Sequence, residues 1–456
     1  MMSTKSVFAR QALLPQGWTQ QVRLHWDVSG SLTLIETGVS ATATEQQVTW
    51  LLPGMSNLHS HAFQRAMAGM TEMAGDTQDS FWTWRDLMYR YALHISPEQS
   101  QAIAAQLYAE CLRQGYTGVC EFHYLHRDPQ GEMYARPAEM AQRLIAAARQ
   151  TGIGITMLPV LYSYADFREQ PLREDQRRFA TRVDDILGLV QALEPERDAQ
   201  TEIGVAPHSL RAASMTQIRE LVNALPAQRP VHIHIAEQMK EVQASLAATG
   251  RRPVEYLLDS GLLDSRWCLV HATHMTPQEV SAVAASGAVV GICTSTEGNL
   301  GDGFFDLPGY LAAGGRFGVG SDSHVSQSPV EELRWLEYGQ RLRLQGRNIA
   351  STATQKRVGD FLWQSALQGG AQASARPVGQ FSVGYRADML VLDDAHPNLA
   401  GLQSEHVLNS WLFAGNDNLV RDVYVGGRQV VQNGRHFAQD EIAADYTRCM
   451  QELRQL

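Results

Sequence analysis

Three features of the sequence predict an α/β protein: a (β/α)8 TIM-type barrel with a small β-sandwich domain built from both chain ends. Short apolar strands alternate with amphipathic helices through the middle of the chain. Histidines or acids stand at the ends of most of those strands, where a barrel of this kind gathers its active site. Both chain ends are short alternating segments broken by Gly-rich turns.

The candidate strands are 50–58, 118–124, 153–161, 202–207, 230–236, 267–271, 288–293 and 316–321. Helical patterns lie between them at 97–114, 137–151, 215–224, 253–260 and 277–286. Strand–helix alternation implies parallel pairing, and eight such units fit a closed barrel of roughly 250 residues. A doubly wound open sheet is the alternative, but it gives no reason for polar residues at nearly every strand end. Hairpin dipeptides such as Gly426-Gly427 and Asn433-Gly434 mark the C-terminal sandwich segments. The expected division is 1–52 plus 378–440 for the sandwich, 53–377 for the barrel, and 441–456 for a C-terminal helix.

Composition narrows the class. The 456 residues are 44% hydrophobic and 19% charged, and the mean hydropathy is −0.24. There is no apolar run long enough to span a membrane and no apolar signal core at the start, so a cytoplasmic location is expected. The five cysteines are scattered without a Cys-x-x-Cys pair, which argues for reduced thiols and against thiolate zinc. A net charge of −10 without basic runs argues against nucleic acid as a partner.

The sharpest local signal is His59-Ser60-His61, which follows an apolar run. Side chains two apart in a strand share a face, so both imidazoles aim at one point beyond the strand end. His232 and His234 repeat the spacing. His234, nearer the mouth, is the better third ligand, whereas His232 reads as a packed, hydrogen-bonded core histidine. Asp322 offers a carboxylate at the eighth strand end. Three imidazoles and one carboxylate suit one Zn²⁺ with an open position for water, whose pKa such a site lowers toward 7. Glu237 and His271 stand at neighbouring strand ends, placed to move protons. None of the three lysines, Lys5, Lys240 and Lys356, ends a strand, so a carbamylated lysine bridging two metals has no candidate and a single metal is expected.

With those residues in view, the segment from Pro53 to His61, His234-Ile-Ala-Glu237, His271 and Gly320-Ser-Asp322 resemble the amidohydrolase superfamily, in its mononuclear deaminase branch. The tail from Val383 to Asp393 is similar to that superfamily's return to the sandwich. Finer motifs resemble the formimidoylglutamate deiminase family: His59–Gly69, Phe81-Trp-Thr-Trp-Arg85, Glu121–Tyr124, Ala206–Arg211 and Thr296–Gly303. The resemblance implies hydrolysis of N-formimidoyl-L-glutamate to N-formyl-L-glutamate and ammonia in histidine degradation, by a homodimer. It implies zinc at His59, His61, His234 and Asp322, and substrate contacts from Gln64, Arg85, Tyr124, His208 and Arg211. Where the family pattern reads Cys-Pro-Thr-Thr-Glu-Ala-Asn, this chain has Cys293-Thr-Ser-Thr-Glu-Gly-Asn299, and the loop 293–303 receives no role.

The residue chemistry fits that small anionic substrate. Guanidinium groups bind carboxylates in bidentate fashion, and a glutamate derivative brings two carboxylates for Arg85 and Arg211. A deaminase acting on a purine, a pterin or an aromatic amidine is the rival enzyme reading, and it would favour a mostly apolar slot. A non-catalytic scaffold is the rival of a different class, and it would be expected to have lost metal ligands.

Overall fold

The computed structural model describes residues 5–73 and 81–455, with the backbone alone at 81–83. Residues 1–4 of the expected sandwich, Leu456 of the expected terminal helix and the side chains of Phe81, Trp82 and Thr83 lie outside the described residues.

The sequence order begins with β1 (Lys5–Leu14), β2 (Gly17–Trp26), β3 (Leu32–Thr37) and β4 (Gln46–Pro53). The barrel follows with β5 (Met55–Ser60), β6 (Tyr116–His123), β7 (Gly154–Leu161), β8 (Thr201–Ile203) and β9 (Ala206–Pro207). It continues with β10 (Val231–Ile235), β11 (Trp267–His271), β12 (Val289–Ile292) and β13 (Arg316–Val319). Pairing along β5-β6-β7-β8 and β10-β11-β12-β13 is parallel throughout. β8 and β9 both pair with β7 and are two pieces of the fourth strand. Parallel bridges Ser60↔Asp322 and Val205↔Val231 close the two seams. The result is the closed eight-stranded barrel. Its strands are buried on both faces, as parallel strands covered by helices must be.

The run read as one strand over 50–58 is two strands in two domains. β4 ends at Pro53 in the terminal sheet, and β5 begins at Met55 in the barrel. Gly54 makes the break possible: a Cβ there would lie 2.2 Å from the Thr117 side chain. Hydrophobicity cannot show this boundary, because both flanks are equally apolar.

The chain ends meet in one β domain, as expected, and its strand pairing is continuous. With β14 (Met389–Leu392), β15 (Val420–Val425), β16 (Arg428–Gln432) and β17 (Arg435–His436), the order is β17-β16-β15-β14-β4-β1-β2-β3. The pairing runs unbroken through eight strands. Val7, Leu24, Trp26, Leu51, Met389 and Val391 build its own core. The seam between the chain's two ends is β4–β14, where Met389 faces Pro53 and Val391 faces Leu51. The hairpin β15–β16 turns at Gly426 and Gly427, with φ of 53° and 71°, the paired positive values a type I′ turn demands.

Several helices begin where the sequence marks them. Pro97–Gln114 starts from Ser96, whose hydroxyl accepts the Gln99 N–H while the Gln99 side chain accepts the Ser96 N–H. Ser214 with Gln217 and Thr276 with Glu279 repeat that box. The C-terminal helix runs Gln439–Leu453 and packs on Pro97–Gln114. No helix among the described residues is long and apolar enough to cross a membrane.

Candidate active site

The site is built where the barrel strands end. His59 lies within β5 and His61 just beyond it, while His234 is on β10. Their Nε2 atoms converge: 3.1 Å between His59 and His61, 3.3 Å between His61 and His234, and 2.9 Å between His234 and His59. His61 Nδ1 donates to the Phe122 carbonyl at 2.8 Å and His234 Nδ1 to the His208 carbonyl at 3.1 Å. Each of those rings therefore spends its one hydrogen on Nδ1 and presents a bare lone pair at Nε2. Asp322 Oδ1 sits 3.5 Å from both His59 Nε2 and His61 Nε2.

Lone pairs so close in a buried place repel unless a cation lies among them. Tetrahedral zinc with Zn–N bonds of about 2.0–2.1 Å spaces its nitrogens about 3.3 Å apart, so the cluster has the right size and donor set. His59, His61, His234 and Asp322 fit one divalent ion of the zinc type. Burial depresses the pKa of all three histidines, that of His59 to about 3, which leaves neutral imidazoles suited to ligation.

The backbone is strained here. Ala236, His271, Ala272 and Asp322 have φ of 52°, 70°, 47° and 46°, left-handed values that cost a residue with a Cβ about 1–2 kcal/mol each. Strand ends that turn this sharply redirect their side chains toward the barrel axis.

His271 Nε2 lies 3.6 Å from Glu237 Oε1 and 3.8 Å from Asp322 Oδ2. Burial pushes the imidazole pKa down, but the Glu237, Glu297 and Asp322 carboxylates outweigh it and raise it to about 10. Burial raises the Glu237 carboxyl to about 7. Asp322 is held well below the usual carboxylate range: burial pushes up, and the His59 hydrogen bond and neighbouring imidazoles pull further down.

One cavity is lined by every residue expected at the site except His59, which lies fully buried beneath it. Gln64 and Arg85 enter from the segments after the first strand, Tyr124 from the end of β6, and His208 and Arg211 from beyond β9. Gln64 Nε2 donates to the Tyr124 hydroxyl at 2.8 Å. Tyr89, Tyr162 and Phe179 also line the cavity and were not anticipated. Tyr162 stands one residue past β7, so barrel geometry alone marks it, but a tyrosine there carries no acid or imidazole signal.

Other strand-end residues are structural. Glu121 accepts the Ser60 hydroxyl at 2.6 Å and the Ala62 N–H at 2.7 Å, fixing the turn that carries His61. His232 Nε2 donates to the Ala373 carbonyl at the barrel floor, at 2.8 Å, so it is the packed histidine of the pair. Among the described residues no lysine lines the cavity.

Comparison with known proteins agrees with this geometry. Residues 50–430 match the amidohydrolase family model, and residues 4–48 match the model for the N-terminal domain of formimidoylglutamate deiminase HutF. The chain belongs to the amidohydrolase family. It is 52% identical to a formimidoylglutamate deiminase of Pseudomonas aeruginosa over 98% of this chain and 99% of the relative. It is 25% identical to a 5-methylthioadenosine/S-adenosylhomocysteine deaminase of Natronomonas pharaonis, over 95% of this chain and 93% of that one. Among solved structures, an amidohydrolase from Brucella melitensis superposes with a TM-score of 0.94 at 43% identity, covering 99% of this chain and all of the other. An adenosine deaminase from Xanthomonas campestris with bound zinc shares the fold, with a TM-score of 0.80 at 21% identity, covering 99% and 98%.

Proposed function

We propose that this chain is a formimidoylglutamate deiminase, hydrolysing N-formimidoyl-L-glutamate to N-formyl-L-glutamate and ammonia in histidine degradation. The observation that carries the reading is that a metal-competent imidazole cluster and two arginines share one cavity, in a chain 52% identical to an enzyme of that name. His59, His61, His234 and Asp322 would hold one zinc. When bound, the ion lowers the pKa of a water toward 7 and so supplies a nucleophile at neutral pH.

The chain's own groups do the rest. Arg85 and Arg211 bind the two substrate carboxylates, with Gln64, Tyr124 and His208 completing the polar contacts. This anchors a flexible chain so that its formimidoyl carbon faces the metal ligands. Glu237, whose buried carboxyl keeps its proton to about pH 7, donates that proton to the formimidoyl nitrogen. His271 Nε2 orients the attacking water. Asp322 passes the second proton to the departing ammonia through the oxygen that faces His271.

The deciding assay is ammonia release from N-formimidoyl-L-glutamate with N-formyl-L-glutamate as co-product. Formamide and glutamate as products, or turnover only of adenosine analogues, would overturn the reading. Five free, buried cysteines support a reducing, cytoplasmic setting. The homodimer implied by the resemblance would appear at twice the chain mass in light scattering.

A further inference from the structure

The loop after the seventh strand contains a carboxylate with no part in the mechanism above. Glu297 sits on the short helix Thr294–Leu300, which begins directly after β12. Its side chain is almost wholly buried, and it turns inward rather than toward solvent. Glu297 Oε1 lies 3.2 Å from His271 Nδ1 and accepts the Cys293 N–H at 2.9 Å. The helix is itself tied to the eighth strand end, where Thr296 Oγ1 bonds the Ser323 hydroxyl at 3.0 Å and accepts the Ser323 N–H at 3.2 Å. The carboxylate is therefore held by the Cys293 N–H of its own strand end, and its helix is pinned through Thr296 to the strand end that carries Asp322.

A carboxylate only accepts hydrogen bonds, so the contact at 3.2 Å requires a hydrogen on His271 Nδ1. That requirement leaves Nε2 as the atom facing Glu237 and Asp322, at 3.6 and 3.8 Å. With Nδ1–H engaged by Glu297 in either charge state, Nε2 is the position left to exchange a proton with the reacting atoms.

We infer that Glu297 is a positioning residue for the deimination: it holds the proton on His271 Nδ1 and aims Nε2 at the water and substrate. The inference rests on the proposed part of His271 in the reaction. An imidazole oriented by a carboxylate on its far nitrogen is a general arrangement for a proton-handling histidine. Glu297 touches neither substrate nor metal ligands, and its effect passes through His271 alone.

The test is a double-mutant cycle on the zinc-loaded full-length protein. Glu297→Ala should lower kcat by about 100-fold with KM changed less than about 3-fold, the scale on which such outer partners act. Metal content and Tm should stay near wild type. Glu297→Gln keeps an oxygen at the acceptor position, so its loss should be smaller, about 10-fold, and it keeps the test available if the alanine variant misfolds. In a His271→Ala background, either change at Glu297 should cost less than about 3-fold. In protein labelled with ¹⁵N at histidine, the Nδ1–H signal of His271 should vanish in Glu297→Ala. Equal losses in both backgrounds, or a fall in metal content that tracks activity, would overturn this inference and leave the deiminase reading standing. Full activity of His271→Ala would overturn both the proton-handling assignment and this inference.

Discussion

At Glu237, the proposed general acid, burial raises the carboxyl pKa as that role requires. The carboxyl keeps its proton to about pH 7, the range in which a neutral-pH deimination needs a donor. Glu237→Gln removes the transferable proton but keeps the shape, so kcat should fall by about 10²–10⁴-fold while zinc remains bound, as read by metal analysis beside steady-state kinetics. The arginines act differently. Arg85→Met or Arg211→Met removes a charged hydrogen-bond partner worth about 1.5–3 kcal/mol, and KM should rise about 10- to 100-fold with a smaller change in kcat. The residues that anticipated this site were those whose chemistry is rare outside function: paired histidines at strand spacing, and acids at strand ends. Glu297 and Tyr162 were not legible, because a glutamate in a polar loop and a tyrosine after a strand are ordinary until their neighbours are known. His232 shows the converse. It has the same spacing partner as His59, yet it lies deeper in the barrel and bonds a backbone carbonyl instead.

Between elements, the helix Pro329–Leu344 is clamped to the helix that carries Glu297 by a single buried carboxylate. Glu332 accepts the Ser295 N–H at 2.9 Å and the Thr294 hydroxyl at 2.9 Å, with the Ser295 hydroxyl as a third donor. Burial raises its pKa from 4.5 to about 8 against those donors. The sign follows from which state binds the proton. Between about pH 4.5 and 8 the folded chain holds a proton that the unfolded chain has lost, so stability falls as pH rises through that window and levels off above it. Glu332→Gln should flatten that part of the stability–pH curve in denaturant titrations. A curve as steep as wild type would refute the assignment. The caps are simpler. Ser96→Ala should cost about 1 kcal/mol, because the Gln99 N–H loses its acceptor. Helix starts of this kind were readable, since Ser-Pro-x-Gln is a local code. The split at Gly54 was not, because it depends on Thr117 arriving from a strand some sixty residues away.

For the whole molecule, the proposed metal would tie elements from distant parts of the chain. His59, His234 and Asp322 belong to the first, fifth and eighth barrel strands, so an ion binding them favours the closed barrel over any opened form. Removal by a chelator should lower Tm, and re-adding zinc should restore it. At free zinc 1,000-fold above Kd, the linkage amounts to about 4 kcal/mol. Barrel class and site face were legible because strand–helix alternation is a global pattern that survives local errors. The continuity of the terminal sheet was not, because which strand sits beside which is decided by pairing across the whole length of the chain.

That pairing has a consequence for biosynthesis. β4 gains its neighbour β14 only after the ribosome has translated the entire barrel, from Pro53 to Met389. At about 5–20 residues per second the wait is roughly 20–70 s. Through that interval the nascent chain carries an apolar strand, Val48 to Leu52, with one edge paired to β1 and the other open. The order of synthesis thus leaves the N-terminal sheet unfinished until last. Until β14 arrives, that edge is free to pair with a strand of another chain.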